Sequence, residues 1–380
     1  MIVTSHIYKN SDWDSAFNSS LDSQNTLILF FSSVPEPQVK VQIAHIKQCF
    51  PTSILLGAST SGEIFDDEVY DDTIVVTIIQ FQSTSLKTYH IDHINSENSF
   101  ESGVAIAEHF ELEKLQGLFV LSDGLNTNGS QITRGIGSII GSNVVVSGGL
   151  AGDKDRFEKT WILHGDELKD AAVQAIGFYG DHIYFEAASK GGWDSLGLKR
   201  VVTKSKNNVL YELDNKPALD IYKRYLGDDK AKELPSSGLL FPLELKSKNA
   251  NDTKVRTVLT VNEEEKSITF AGDIPEHATV TFMKANFERL IDGAEESAES
   301  LNFTNYHGEP LVCIAISCVG RKLVLKSRID EEVESVKEVL PDNASIVGFY
   351  SYGEISPLVN GTCDLHNQTM TLTSIWESNA

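Results

Sequence analysis

Cysteine is scarce in this chain: Cys49, Cys313, Cys318 and Cys363 are the only four among 380 residues. That is too few for a disulfide framework at this length and is consistent with free thiols in a reducing compartment. Positive charge is also short. The 32 lysines and arginines against 54 aspartates and glutamates leave a formal charge of −22, which repels a phosphate backbone, and no Lys/Arg cluster stands out against it. Nucleic acid is therefore not an expected partner. The start, Met-Ile-Val-Thr-Ser-His, lacks a basic region followed by an apolar core, and the longest apolar run near it, Leu27 to Phe31, is far too short to span a bilayer. Membrane insertion is not expected, and the cytoplasm is the expected compartment.

Catalytic signatures are missing as well. There is no Gly-Lys-Ser/Thr phosphate loop and no His-Glu-x-x-His helix, and Ser351 in Phe349-Tyr-Ser-Tyr-Gly353 lacks the first glycine of a nucleophile elbow. Gly135-x-Gly137-x-x-x-Gly141 has one residue too many for a dinucleotide fingerprint and lies within a helix pattern, where it reads as packing with a glycine cap. Asp123-Gly-Leu-Asn-Thr-Asn-Gly129 resembles a calcium loop only in composition, since Leu125 stands where an oxygen ligand belongs. Enzyme activity is not expected.

What the chain does have is repetition. Gly57-Ala-Ser-Thr-Ser-Gly62-Glu63-Ile64 returns as Gly348-Phe-Tyr-Ser-Tyr-Gly353-Glu354-Ile355 in the same gapless register, and Ser147-Gly-Gly-Leu-Ala-Gly152-Asp153 is a weaker third copy. Each follows a short β-branched run and is preceded by an apolar strand pattern, a turn and an amphipathic helix. The helices carry Val39, Ile43, Ile46 and Phe50 in the first copy, Ile132, Ile136, Ile139 and Ile140 in the second with Ser130 as a cap, and Val333, Val336 and Leu340 in the third. Strands alternating with helices predict an α/β fold of mixed sheets with packed helices, built from strand–helix–strand units with Gly-rich loops in two pseudo-repeated halves. Glycine-rich loops after buried strands gather where ligands bind, so Gly62, Gly152 and Gly353 are expected at C-terminal strand ends facing a common region.

Between residues 238 and 283 the pattern becomes strand-like, with Leu239 to Leu245, Val255 to Val261, Ser267 to Phe270 and Thr279 to Met283 as strands, after a helix opened by Pro217. A domain boundary near 205 follows, giving halves 1–205 and 206–380.

The richest chemical segment is Cys363-Asp-Leu-His366-Asn-Gln-Thr-Met370. Read as a continuous strand, it places His366, Gln368, Met370 and Leu372 on one face and Cys363 on the other, a ligand-pocket mixture against the plainer reading of a core histidine bonded to a carbonyl. The acids Glu63, Asp153 and Glu354 are either ligand contacts or residues that cap a helix or lie in water.

Together these motifs, with Ser122-Asp-Gly-Leu125, Phe270-Ala-Gly-Asp273 and Ser317-Cys-Val-Gly-Arg321, resemble the FIST family across roughly residues 25–376. The resemblance implies a sensory domain of N- and C-terminal halves in signal transduction. No kinase, cyclase or F-box pattern accompanies it in this sequence, so a partner is expected to supply the output. Stand-alone bacterial members look like nitric oxide sensors that bind haem b and control a histidine kinase or a cyclic-di-GMP enzyme. On that likeness His366 is the first candidate for an axial ligand and the thiols of Cys318 and Cys363 the second, with an iron–sulfur or zinc site on those thiols as an alternative. The other alternative is a small metabolite such as an amino acid, held by Glu63, Asp153, Tyr352, Glu354, Asn367 and Met370.

Overall fold

Each repeat becomes a parallel strand–helix–strand pair whose chain then returns as a third, antiparallel strand. The computed structural model describes residues 1–246 and 253–378. The first unit holds β1 (Ile2–Lys9), β2 (Thr26–Ser32), α1 (Glu36–Cys49), β3 (Ile54–Ser59), the hairpin β4–β5 (Glu63–Phe65 and Glu68–Tyr70) and β6 (Ile74–Gln80). The second repeats this as β7 (Ser85–Ile91), α2 (Ser99–His109), β8 (Leu115–Ser122), α3 (Gly129–Ile140), β9 (Val145–Leu150), the hairpin β10–β11 (Ile162–His164 and Glu167–Lys169) and β12 (Val173–Tyr179). In the third, β13 (Ile183–Lys190) is followed, after a long excursion that carries α4 (Ala218–Lys232), by α5 (Phe287–Glu299), β14 (Leu311–Cys318), α6 (Val319–Leu325), α7 (Ile329–Val339), β15 (Ala344–Ser351), the hairpin β16–β17 (Gly353–Pro357 and Cys363–His366) and β18 (Met370–Glu377).

The hairpins are what tie the units together, because none of them stays in its own sheet. The first unit's hairpin pairs with β15, the third unit's with β9, and the second unit's with β3. The three sheets therefore run β10–β3–β2–β6–β1, β16–β9–β8–β12–β7 and β4–β15–β14–β18–β13, one pattern used three times. A closed exchange of this kind covers three sheet edges that would otherwise be exposed.

The central strands of these sheets are buried on both faces, which is why they read as unbroken apolar runs, whereas the outer strands β1, β7 and β13 are partly exposed. Along β2, Leu27, Leu29 and Phe31 point into a core shared by all three sheets, while Ile28 and Phe30 face α1. Phe31 meets Phe349 of β15 at 4.6 Å between ring centres. Close packing also dictates glycine at one position per unit: a Cβ on Gly57, Gly148 or Gly348 would lie 2.3, 1.9 or 1.7 Å from the carbonyl oxygen of Phe30, Val120 or Ala315 on the neighbouring strand. The helix stripes are buried as expected, except that Ile139 is exposed. The cap of α3 is Asn128 rather than Ser130, its Oδ1 accepting from Gln131 N, and the helix ends at Gly141 with φ +71°.

The described strands between residues 194 and 284 form a separate eight-stranded sheet with α4 packed on it through Leu219, Tyr222 and Leu226. The polar stretch 199–208 lies largely in its long strand Asp194–Lys206. The strand expected from Leu239 to Leu245 is split: Ser236–Leu240 is a 3-10 turn, and only Leu243–Lys246 pairs. Arg256 and Asp273 tie this sheet to the second and third units, through Leu365 O at 3.1 Å and Asn128 Nδ2 at 2.9 Å.

Candidate functional site

The three Gly-rich loops do converge. Gly152 N donates to Ser59 O, Ser61 N to Tyr350 O, Tyr350 N to Gly62 O and Tyr352 N to Leu150 O, at 2.8–3.4 Å, so each loop is bonded to another across the unit boundaries. The glycines serve different ends. Gly62 adopts φ +126°, closed to most side chains, whereas Gly152 and Gly353 lack positive φ and are needed for room: a Cβ would lie 2.4 Å from Ser61 Oγ in one and 3.0 Å from Leu150 and Leu365 in the other.

The acids after two of these glycines neither cap helices nor lie in water. Glu63 is fully buried and accepts from Ser33 Oγ at 2.9 Å, Thr73 Oγ1 at 2.5 Å and Thr60 Oγ1. Glu354, equally buried, accepts from Ser351 Oγ at 2.8 Å and from Thr369 N and Oγ1 at 3.1 and 2.9 Å. Burial pushes both carboxyls up to about 7 against the pull of these donors. In the second unit the internal position passes to Asp123, which accepts from Leu125 N, Asn126 N and Thr160 Oγ1 at 2.6–2.9 Å. Asp153 instead bonds Arg156 and takes backbone donors from Glu158 and Lys159. In all three units the turn leading back to the third strand has one positive-φ residue, Asp72 (56°), Ala171 (48°) or Gln368 (65°).

That turn overturns the single strand face expected for 366–372. β17 ends at His366, paired with Glu354 in the second unit's sheet, while Met370 opens β18 in the third. The side chains of His366 and Met370 therefore belong to different sheets. Gln368 is held by Leu239 O and Thr257 Oγ1 at 3.1 and 3.0 Å. Asn367 is fully buried, and among the described residues neither of its amide atoms has a partner. Tyr352 stacks on Phe157 at 4.6 Å.

His366 lines a cavity of about 470 Å³ with Lys190, Trp193, Lys254, Val255 and Met283. Its Nε2 lies 3.2 Å from Ser356 O, and burial pulls its pKa down to about 4, so the imidazole is neutral at pH 7. A second cavity, about 330 Å³, lies at the C-terminal ends of β2 and β3 beside the start of α1. Its walls include Ser33, Glu36, Thr60, Asp153, Arg156 and Lys159. Cys318 and Cys363 are buried and their thiols are pushed well up by desolvation; Cys363 donates to Thr133 O. Among the described residues no three His, Cys, Asp or Glu side chains are placed to hold a metal ion. The thiols thus do not fit an iron–sulfur or zinc site, which needs deprotonated sulfur and several ligands. His366 does fit a haem ligand: it is neutral, and one ring nitrogen is held by a backbone carbonyl, the usual support of a ligating imidazole.

One buried group escaped sequence reasoning. Arg321 and Glu332, both without exposure, pair at 2.7 Å; Glu332 also accepts from Tyr350 OH at 2.5 Å and Ser317 Oγ at 3.1 Å, and Arg321 donates to Gly191 O and Leu290 O. The available signal was Arg321 within a segment otherwise reading as strand end and apolar helix.

Three α/β units locked by exchanged hairpins, with a further sheet inserted in the third, define a mixed α/β architecture with cavities beside its strand ends. Residues 26–216 match the FIST N domain and residues 218–357 the FIST C domain. The chain belongs to the FIST family, whose domains are sensory domains of signal transduction. It is also 26% identical over 373 residues to an uncharacterized protein of Methanocaldococcus jannaschii, covering 87% of this chain and 69% of that one. No helix among the described residues is long and apolar enough to cross a membrane.

Proposed function

We propose that this protein is a cytoplasmic signal-input protein, binding rather than transforming its ligand, which holds haem b in the cavity beside His366 and reports nitric oxide to a partner histidine kinase or cyclic-di-GMP enzyme. The observation that carries this reading is His366: a neutral imidazole in a cavity wall, with Nε2 at Ser356 O and Nδ1 as its remaining nitrogen. Bound haem would supply a ferrous iron that takes up the gas. The chain's residues do the rest. Trp193, Val255 and Met283 give apolar walls, and Lys190 gives a cation for a haem carboxylate, while Lys254 beside it is paired with Asp364. From His366 the chain passes directly into the turn whose Thr369 is bonded to Glu354, so a shift of the imidazole is felt at the buried carboxyl between two sheets.

The test is a haem titration followed by absorption. The protein should develop a Soret band that His366→Ala abolishes or shifts while circular dichroism stays unchanged. An identical spectrum in the variant, or no uptake by the unmodified protein, ends the haem reading. A second reading, an amino-acid sensor, is favoured by the smaller cavity, whose wall holds both signs of charge as two ion pairs, Arg156 with Asp153 and Lys159 with Glu36, which the two ends of a zwitterion would engage. It calls for colourless protein whose melting temperature rises with an amino acid and no longer does so in Asp153→Asn.

A further inference from the structure

The cavity beside His366 is a junction between two bodies. One part of its lining comes from the third unit and its hairpin, at Lys190, Trp193 and His366; the other comes from the inserted sheet, at Glu244, Lys254 and Met283. Its chemistry is unequal on the two sides.

Met283 stands apart among the residues of that sheet. On its strand, Thr279–Lys284, Val280 and Phe282 face the sheet's own core, whereas Met283, 6% exposed, joins the core shared by the three units. Among the described residues between 194 and 284 it is the only buried apolar one that does so. Its backbone is fixed by the N–H bonded to Pro242 O at 2.9 Å and by strand pairing with Ser195. Strand geometry therefore holds the thioether at the junction.

We infer, resting on the haem reading above, that Met283 is the second axial ligand of the iron, paired with His366. The rest of the lining competes poorly. Lys254 is paired with Asp364, Lys190 is an exposed ammonium that would first have to lose a proton, and Glu244 offers only hard oxygens. A neutral thioether is a soft ligand that suits haem iron beside an imidazole, and of the chain's three methionines Met283 alone lines this cavity. The pairing also gives the signal a route. His366 belongs to the hairpin and Met283 to the inserted sheet, so the two residues would clamp that sheet to the three-unit body, and a gas taking the place of Met283 would release it.

Haem titration of the full chain, read by absorption and magnetic circular dichroism, tests this. The unmodified protein should give a six-coordinate, low-spin spectrum. Met283→Leu, which nearly conserves volume, should leave far-ultraviolet circular dichroism and haem uptake intact and turn the spectrum five-coordinate and high-spin. A five-coordinate spectrum in the unmodified protein, a spectrum that Met283→Leu leaves unchanged, or a sixth ligand lost only in Lys190→Ala overturns this assignment while the haem reading stands. No haem uptake by the unmodified protein overturns both.

Discussion

Replacing Glu63 by Gln tests the buried acids most directly. The carboxyl is enclosed by three hydroxyl donors and raised to about 7 by burial, from an ordinary value of 4.5. A carboxyl whose folded-state pKa exceeds its unfolded one binds more protons when folded. Its contribution is therefore fully present below pH 4.5 and is lost as pH rises to about 7. At about 1.4 kcal/mol per pH unit, the gap corresponds to roughly 3 kcal/mol. His366 works in the opposite sense across part of the same range, since its pKa is lowered to about 4, so the parent's net slope blends the two. The difference between variant and parent removes that overlap. Glutamine keeps the shape and cannot ionise, and the hydroxyls of Ser33, Thr60 and Thr73 can rotate to donate or accept. Urea unfolding at half-unit steps from pH 4.5 to 8 should show Glu63→Gln gaining on the parent by roughly 3 kcal/mol toward high pH. A difference that stays flat, or that moves against the variant as pH rises, would refute the reasoning, because the carboxyl would then be ionised throughout. Glu354→Gln should behave alike, since burial raises this carboxyl to about 7 as well.

Glu332→Gln leaves Arg321 buried without its counter-charge and should cost on the order of 3–5 kcal/mol in chemical denaturation, while adding Arg321→Met should cost clearly less than the sum of the two single changes; additive losses would mean that the pair is not coupled. Gly348→Ala drives a Cβ into Ala315 O and should prevent folding or cost several kcal/mol, whereas Gly137→Ala, in a helix with nothing within 4 Å, should stabilise by about 0.5–1 kcal/mol. Equal thermal shifts in these two glycine variants would contradict the strand-packing argument.

The sequence by itself determined the repeated units. Unbroken apolar strands, helical stripes ended by Pro51 or Pro341, and glycine at a fixed place after each second strand are local signals, and they marked the strand–helix–strand pairs and the C-terminal strand ends where the loops gather. The segment at His366 shows where that legibility stopped. Gln368 at φ 65° breaks what alternation alone presents as one strand, because a positive-φ residue without glycine leaves no local mark. The hairpin exchange was equally invisible: Glu63 to Tyr70 reads as a hairpin, but its partner β15 lies almost 300 residues away, and only the tertiary structure decides which sheet edge it completes. That choice is also what buries Glu63 and Glu354. Their surroundings are assembled from different sheets, and a carboxyl's ionisation depends on enclosure, which no spacing along the chain encodes.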